Sequence, residues 1–374
     1  MKFSVSSTSL LSHIQTVSRV IASKNTLPIL DDILFFLDGN RLELTASDLE
    51  TTLVTELGVD SAEGSGKVAI PAKLLIDVLR EFSEQPLEFV VNDDNFSLTI
   101  NSESGTYSLV GVNGNEYPAL PTFTENVNSL VLPVETLETS IAATIFATTE
   151  DNLRPVMTGI YFDITEENVT MVATDAHKLV RYRALNVRGE KTSSFILPKK
   201  AATALLNVLA KESGDATVQF DEKSAAFNFR NYKMFCRQIE GRFPNYNSVI
   251  PANNPNKLIV DRQALMGAVR RVSIFGNVAS SLIKLQISAN DMVISAQDID
   301  FQQSGQEKLA CQYQGDPMSI GFQSSYLLEI LKNTDSEQVV FELADPSRAG
   351  IILPFENTEG EELLMLLMPM LLND

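Results

Sequence analysis

The sequence predicts an α+β chain of three repeated domains, each with two helices packed on antiparallel sheets. Three observations predict it. A short apolar strand followed by a helix-like stretch opens each third, and the starts lie about 125 residues apart, a domain-sized period rather than a solenoid-sized one. A second strand-helix pair recurs later in each third, with a shared phrase between the two pairs. The remaining runs read as strands, and many strands with only two helices per third favour an antiparallel layout over a wound parallel sheet.

The opening pairs are Met1-Lys2-Phe3-Ser4-Val5 into Leu10, Leu11, Ile14 and Val17; Leu130-Val131-Leu132 into Leu137, Ile141 and Ile145; and Leu258-Ile259-Val260 into Leu265, Ala268 and Val272. Spacings of three and four place each apolar set on one helix stripe, which needs a sheet to cover it. The second pairs are Val68-Ala69-Ile70-Pro71 into Leu74, Leu75, Val78 and Leu79; Phe195-Ile196-Leu197-Pro198 into Ala202, Leu205, Leu206 and Leu209; and Met318-Ser319-Ile320-Gly321 into Leu327, Leu328 and Leu331. The predicted helical segments are 8–24, 72–84, 134–149, 198–213, 261–276 and 323–333. The shared phrase reads Leu44-Thr45-Ala46-Ser47-Asp48, Val172-Ala173-Thr174-Asp175 and Ile294-Ser295-Ala296-Gln297-Asp298.

Hairpins follow from turn residues between strand-like runs. Ile33 to Leu37 and Leu42 to Thr45 flank Asp38-Gly39-Asn40-Arg41, Leu87 to Val91 and Phe96 to Ile100 flank Asn92-Asp93-Asp94, and Val339 to Leu343 precedes Gly350 to Leu353. Proline-rich endings at Tyr117-Pro118-Ala119-Leu120-Pro121 and Phe243-Pro244-Asn245-Tyr246 set the boundaries at 1–122, 128–252 and 255–374, with a polar linker over 122–129.

No run approaches 18 consecutive apolar residues, so no membrane-spanning helix is expected. Met1 to Val5 alternates like a strand and lacks the apolar core of a signal peptide. Cys236 and Cys311 occupy unrelated positions in different repeats, which suits a reducing cytoplasm better than a disulfide framework or a zinc site. The net charge is −19. The six predicted helical segments carry +2, −1, −2, +2, +2 and 0, a total of +3, which leaves −22 on strands and turns. Such a split favours a nucleic-acid partner only if the helices share a surface; ordinary solubility charge is the plainer reading.

Catalytic chemistry is thinly represented. The chain has two histidines; His13 sits in the first helix, and Asp175-Ala176-His177 is the one acid-histidine pair close in sequence. Asp175 and His177 could orient a base or bind a metal, but either role needs further ligands or a nucleophile. HExxH, CxxC, G-x-S-x-G, GxxxxGK[ST] and GxGxxG are all absent, so neither cofactor nor metal is expected. The basic residues are more suggestive: Lys24, Lys73, Arg80, Lys199, Lys200, Lys211, Arg270 and Arg271 each fall in or beside a repeat-equivalent helix. Without aromatic interleaving or a recognition-helix motif, they would contact a nucleic-acid backbone independently of sequence.

Several phrases, in order, carry a resemblance: Met1-Lys2-Phe3, Thr26-Leu27-Pro28-Ile29-Leu30, Thr45-Ala46-Ser47-Asp48-Leu49-Glu50, Ala173-Thr174-Asp175-Ala176-His177-Lys178-Leu179, Gly241-Arg242-Phe243-Pro244-Asn245-Tyr246, Ile320-Gly321-Phe322 and Met368-Pro369-Met370. Over essentially its full length the chain resembles the bacterial sliding clamps, the beta subunits of DNA polymerase III. The resemblance implies a non-catalytic head-to-tail homodimer whose six similar domains close a ring around duplex DNA. Helices would line the hole, and the replicative polymerase, the clamp loader and other proteins with a clamp-binding motif would dock on the ring.

It further implies DNA contacts from Lys24, with Lys73, Arg80, Lys199, Lys200 and Arg271 as the remaining candidates, and a dimer interface at Tyr107, Ile274 and Phe275. Positions matching the apolar part of the family's partner-peptide pocket are Met157, Thr174, Leu179, Pro244, Val249, Leu366 and Met368. Those matching the adjoining groove are Ala176, His177, Gln323, Tyr326, Pro369 and Met370. The chain departs from the family pattern at Ala176, commonly glycine; Lys178, commonly arginine; Ser248, often basic; and Leu371-Leu372-Asn373-Asp374, where many members end in arginine and leucine. Two other readings stay open: a nucleic-acid-processing enzyme using Asp175 and His177, and a purely structural repeat protein.

Overall fold

The computed structural model describes residues 1–123 and 126–372. Residues 124 and 125 of the predicted linker, and Asn373 and Asp374 of the divergent tail, lie outside the described residues. Among the described residues there are six α-helices: α1 (Ser7–Val17), α2 (Ala72–Arg80), α3 (Val134–Thr144), α4 (Lys199–Leu209), α5 (Arg262–Ser273) and α6 (Ser324–Lys332). Each starts within one residue of the expected position. α1 and α3 tighten into single 3-10 turns at Ser18–Val20 and Ile145–Ala147, so their regular parts end early.

The apolar stripes do as their spacing requires. Leu10, Ile14 and Val17 of α1 and Leu265, Val269 and Val272 of α5 are buried. Ser6 Oγ caps α1 by accepting from Ser9 N at 3.1 Å, and Asp261 Oδ1 caps α5 by accepting from Ala264 N at 2.7 Å. Leu74 departs from expectation. The nine-residue α2 buries only Ala72, Leu75 and Leu79, which leaves Leu74 half exposed.

The chain divides into two compact units, residues 1–138 with 200–238, and residues 139–199 with 239–374. The first contains a five-stranded sheet in the order Ser61–Glu63, Lys2–Ser6, Pro86–Val91, Ser97–Asn101, Thr106–Val110. It also contains a nine-stranded sheet. Five of those strands come from the first third (Val112–Asn113, Gly66–Pro71, Asp32–Asp38, Arg41–Ser47, Thr51–Gly58), followed by four from the middle third (Tyr232–Arg237, Ser224–Asn228, Asp215–Phe220, Asn128–Pro133). α1 packs beside α2 and against the Arg41–Ser47 and Thr51–Gly58 strands.

The second unit repeats the plan. Its nine-stranded sheet runs Ser193–Pro198, Gly159–Ile164, Val169–Thr174, Lys178–Ala184, then Glu361–Leu367, Gly350–Pro354, Gln338–Leu343, Asn256–Asp261 and Gln312–Gln314. A four-stranded sheet follows the order Gln303–Ala310, Asp291–Asp298, Leu282–Ile287, Met318–Gln323. α5 and α6 pack together over a core that includes Leu258, Ile283, Ile294, Ile320 and Phe341.

Two thirds of the chain therefore meet by strand pairing. Thr51–Gly58 pairs antiparallel with Tyr232–Arg237, from Tyr232 opposite Thr55 to Cys236 opposite Thr51. Lys178–Ala184 pairs with Glu361–Leu367 over its whole length. Continuous ladders across these borders are why the two units cut through the middle third.

The shared phrase is a turn. Asp48 Oδ1 accepts from the amides of Glu50 and Thr51, Asp175 Oδ1 from His177 and Lys178, and Asp298 Oδ1 from Asp300 and Phe301, all at 2.6–3.2 Å. A carboxylate that satisfies two turn amides explains an aspartate in every copy. Leu49 and Ala176 adopt left-handed backbone inside the first two turns, at φ 75° and 76°.

Candidate functional site

The most built site on the second unit surrounds the Asp175 turn. Thr174 Oγ1 accepts from Ala176 N at 3.1 Å and donates to Lys178 O at 2.7 Å, which holds Ala176 in its strained conformation. Lys178 is buried. Its ammonium donates to Asp175 Oδ2 at 2.6 Å, pairs with Glu329 Oε2 of α6 at 3.0 Å, and lies 4.4 Å from the Tyr326 ring centroid. Burial opposes its charge, but the hydrogen bonds and charges of Asp175 and Glu329 outweigh burial and raise its pKa. His177 is exposed and stacks on the other side chain of this wall, Tyr326, at 5.5 Å and 21°. The turn and α6 are thus tied by one buried cation and one ring stack.

The apolar floor lies beside it. Leu179 is opposite Leu366 across the strand border and opposite Thr174 on its other side. Leu179 and Leu366 belong to a cluster with Val172, Phe243, Tyr246, Ile351 and Leu364, against which Val156, Tyr161 and Ile250 are partly buried. Tyr161 stacks on Phe243 at 4.7 Å and meets Tyr246 edge-on. Pro244 lies within this aromatic segment, half buried, and Val249 and Met368 are about half exposed at the rim. Met157 is half buried beside Val156, outside the cluster itself.

The C-terminal segment forms the third wall. Met368 N donates to His177 O at 2.9 Å, and Met370 N donates to Gly321 O at 2.8 Å. A side chain at Gly321 would strike Met370 O at 2.7 Å, so glycine is what lets the tail approach. Gln323 and Pro369 are half buried, and the Gln323 amide donates to Ser325 Oγ at 3.2 Å. Of the positions carried over by resemblance, these contacts tie Thr174, Ala176, His177, Leu179, Tyr326, Leu366, Met368 and Met370 together. No hydrogen bond or ring contact joins Met157 or Val249 to that set. The residues that sequence reasoning missed are Lys178, Glu329, Tyr161, Phe243 and Tyr246. The phrase containing Phe243 and Tyr246 signalled a domain boundary and the resemblance, but only its Pro244 was placed in the pocket.

This geometry is poor for catalysis. Both Asp175 carboxylate oxygens are taken, one by two turn amides and one by Lys178, so neither is left to orient the exposed His177 ring, which stacks on Tyr326. Among the described residues no three His, Cys, Asp or Glu side chains are grouped to hold a metal. His13 is likewise structural, with Nδ1 2.9 Å from Thr55 Oγ1 and its ring stacked on Tyr232.

The basic candidates fall into two classes. Lys24 and Lys73 are exposed, and neither forms an ion pair with a described residue. Lys200 pairs with the Asp48 carboxylate, Lys199 with Glu150 at 3.1 Å, Arg271 with Glu307 at 2.6 Å, and Arg80 with Asp77 at 3.7 Å. The cation of each pair is substantially exposed, so the pairs are weak and leave it able to turn to a phosphate. Tyr107 lies on Thr106–Val110, an edge of the five-stranded sheet, where Val110 is also exposed. Ile274 and Phe275 follow α5. Phe275 packs on Gly305 of Gln303–Ala310, an edge of the four-stranded sheet.

Three family models together match most of the chain: the DNA polymerase III beta subunit N-terminal domain at residues 1–121, its central domain at 131–245 and its C-terminal domain at 247–370. The beta sliding clamp of Haemophilus influenzae is 28% identical, covering 99% of this chain and 100% of the relative. That of Pseudomonas putida is 26% identical, covering 98% and 99%. The crystal structure of the DNA polymerase III subunit beta from Pseudomonas aeruginosa superimposes with a TM-score of 0.93 at 25% identity, over all of both chains. A sliding clamp from Bartonella birtlesii, solved bound to griselimycin, superimposes with a TM-score of 0.91 at 29% identity, again over all of both chains.

Proposed function

The chain belongs to the beta sliding clamp family of DNA polymerase III, and we propose that it works as a homodimeric ring that tethers the replicative polymerase to duplex DNA. The observation that carries the reading is what sheet pairing leaves over. At both borders inside the chain, the strand after the Asp turn of one third meets the last strand of the next third. Two equivalent strands remain without that partner: Gln303–Ala310 of the last third and, before the two-residue strand Val112–Asn113, Thr106–Val110 of the first. Joining four strands to five through them would make a third nine-stranded sheet, in the same order as that of the second unit. Only a second copy placed head to tail gives each edge its partner. Heterologous contacts that close in this way make rings.

Within that ring, Lys24 and Lys73, with Arg80, Lys199, Lys200 and Arg271 released from their surface pairs, meet phosphates without reading bases. Tethering is topological, so each contact stays weak and the ring slides. The domains are 1–122, 128–252 and 255–374. The groove bounded by His177, Tyr326, Leu179, Leu366 and Met368 takes a short apolar segment of the polymerase, the clamp loader or another partner, and the methionine adapts its packing to different anchors. The protein catalyses no reaction of its own: Asp175 is a turn cap. Among the described residues no helix is long and apolar enough to cross a membrane, and the site of action is the cytoplasm, where replication proceeds.

The test is primer extension on a circular single-stranded template by the cognate polymerase and clamp loader. Adding the protein should lengthen the product made per polymerase binding event. Product lengths unchanged by its addition would refute the reading.

A further inference from the structure

Arg181 is a cation in an apolar place. Its strand neighbours across the ladder are Val172 and Leu364, both in the cluster that floors the groove. Leu179, two residues earlier on the same face, is about 7 Å away along the strand. Arg181 is half buried, its Nε is fully shielded, and it forms no hydrogen bond or ion pair with a described residue. The nearby acids are spent elsewhere. Glu362 accepts from Arg183 Nη1 at 2.9 Å, and Asp163 Oδ2 accepts from the Tyr246 hydroxyl at 2.6 Å. Arg183, two residues on along the same strand face, also has its Nε shielded and unpartnered, while its Nη1 is held by Glu362. Burial first and the Arg183 charge second lower the Arg181 pKa, and the Glu362 charge offsets them only in part.

An uncompensated, partly desolvated guanidinium costs stability unless something supplies an anion. The arginine stem alone could serve as packing, but a methionine would fill that role without the cost. We infer that Arg181, supported by Arg183, is an anion subsite at the end of the apolar groove that receives a carboxylate side chain of the docked partner segment, one or two residues from its apolar anchor. This rests on the groove being the partner site. A planar guanidinium with free donors suits a carboxylate, and apolar walls strengthen the bond. The subsite would make this chain discriminate among partner segments by charge as well as by apolar fit.

The experiment uses the full chain and fluorescein-labelled octapeptides that carry a Leu-Phe anchor and a single Glu at successive flanking positions, each with a Gln counterpart. Fluorescence polarisation at low salt should show at least one Glu placement binding roughly tenfold tighter than its Gln twin. That gap should close in Arg181→Met, persist in part in Arg181→Lys, and shrink as salt rises. Gln peptides should bind the Met variant within about twofold of the unmodified chain, since its apolar floor is intact. Equal Glu and Gln affinities at every placement, or a preference that survives Arg181→Met, would overturn the subsite. Val249→Glu and Met368→Glu separate it from the groove itself. If those rim variants bind all peptides normally, or no peptide binds the unmodified chain, the groove reading fails and takes the subsite with it.

Discussion

Replacing Ile274 and Phe275 together by alanine tests ring closure through the unmatched edges. Ile274 is 74% exposed and Phe275 43% exposed, so neither side chain is spent on the interior of its own unit. Fully burying such a side chain is worth about 1.5–3 kcal/mol. Scaled by what is exposed, truncation forfeits about 1–2 kcal/mol at Ile274 and about 1 kcal/mol at Phe275, or about 2–3 kcal/mol per junction. A head-to-tail dimer has two identical junctions, so dimerisation should weaken by about 4–6 kcal/mol, a factor of roughly 10³–10⁴ in Kd. Sedimentation equilibrium over a nanomolar to micromolar series reads this directly, with far-UV circular dichroism to show that the monomer stays folded. Leu153→Ala is the control, because Leu153 is 91% exposed but lies on neither edge. A double variant with a Kd within threefold of the unmodified chain would refute the proposed interface.

Three further perturbations follow from the same geometry. Ala176→Gly relieves a left-handed alanine at φ 76° and should stabilise the fold by about 0.5–1 kcal/mol, after subtracting the extra freedom of the unfolded glycine; a lower denaturation midpoint would contradict the strain. Asp32 is buried beside Asp31, and desolvation first, then that neighbour, pushes its pKa up to about 6. The folded state therefore holds this proton more tightly than the unfolded state, and stability contributed at low pH is lost as pH rises from about 4 through about 6. Asp32→Asn should flatten that slope and raise stability at pH 7 by up to about 3 kcal/mol, and an unchanged urea midpoint at both pH values would sink the assignment. In a salt titration of duplex binding, Lys24→Ala with Lys73→Ala should shallow the log-log slope by about two units, whereas Lys200→Ala, already paired with Asp48, should change it less. Equal effects would show that the unpaired lysines have no special part.

Local pattern made much of this fold readable. Leu10, Ile14 and Val17, or Leu265, Ala268 and Val272, fall at helical spacing and do pack inward, and the repeated Asp48, Asp175 and Asp298 mark the same turn three times. Pairing between distant strands was not readable. The ladder joining Lys178–Ala184 to Glu361–Leu367 is made by backbone groups that any residue carries. That border strand is also covered on both faces. Leu179 and Val180 serve different cores, so a run that reads as merely apolar hides a groove floor on one side. The motif positions Thr174, His177, Tyr326 and Met368 do come together in the fold. The buried state of Lys178 was not legible, because its partner Glu329 is over 150 residues away in sequence and only the fold brings the pair to 3.0 Å. Leu74 misled for a simpler reason: α2 buries only the narrow stripe of Ala72, Leu75 and Leu79, and Leu74 lies beside it.

Tethering by topology is tested most directly on a DNA circle. Labelled protein is placed on a nicked circular duplex by the clamp loader, free protein is removed by gel filtration, and the circle is then cut once with a restriction enzyme. A closed sliding ring predicts co-elution with the intact circle at salt concentrations that abolish ordinary phosphate contacts, followed by rapid loss once an end exists. Loss from the intact circle as fast as from the linear form, or retention on the linear form after cutting, would contradict it.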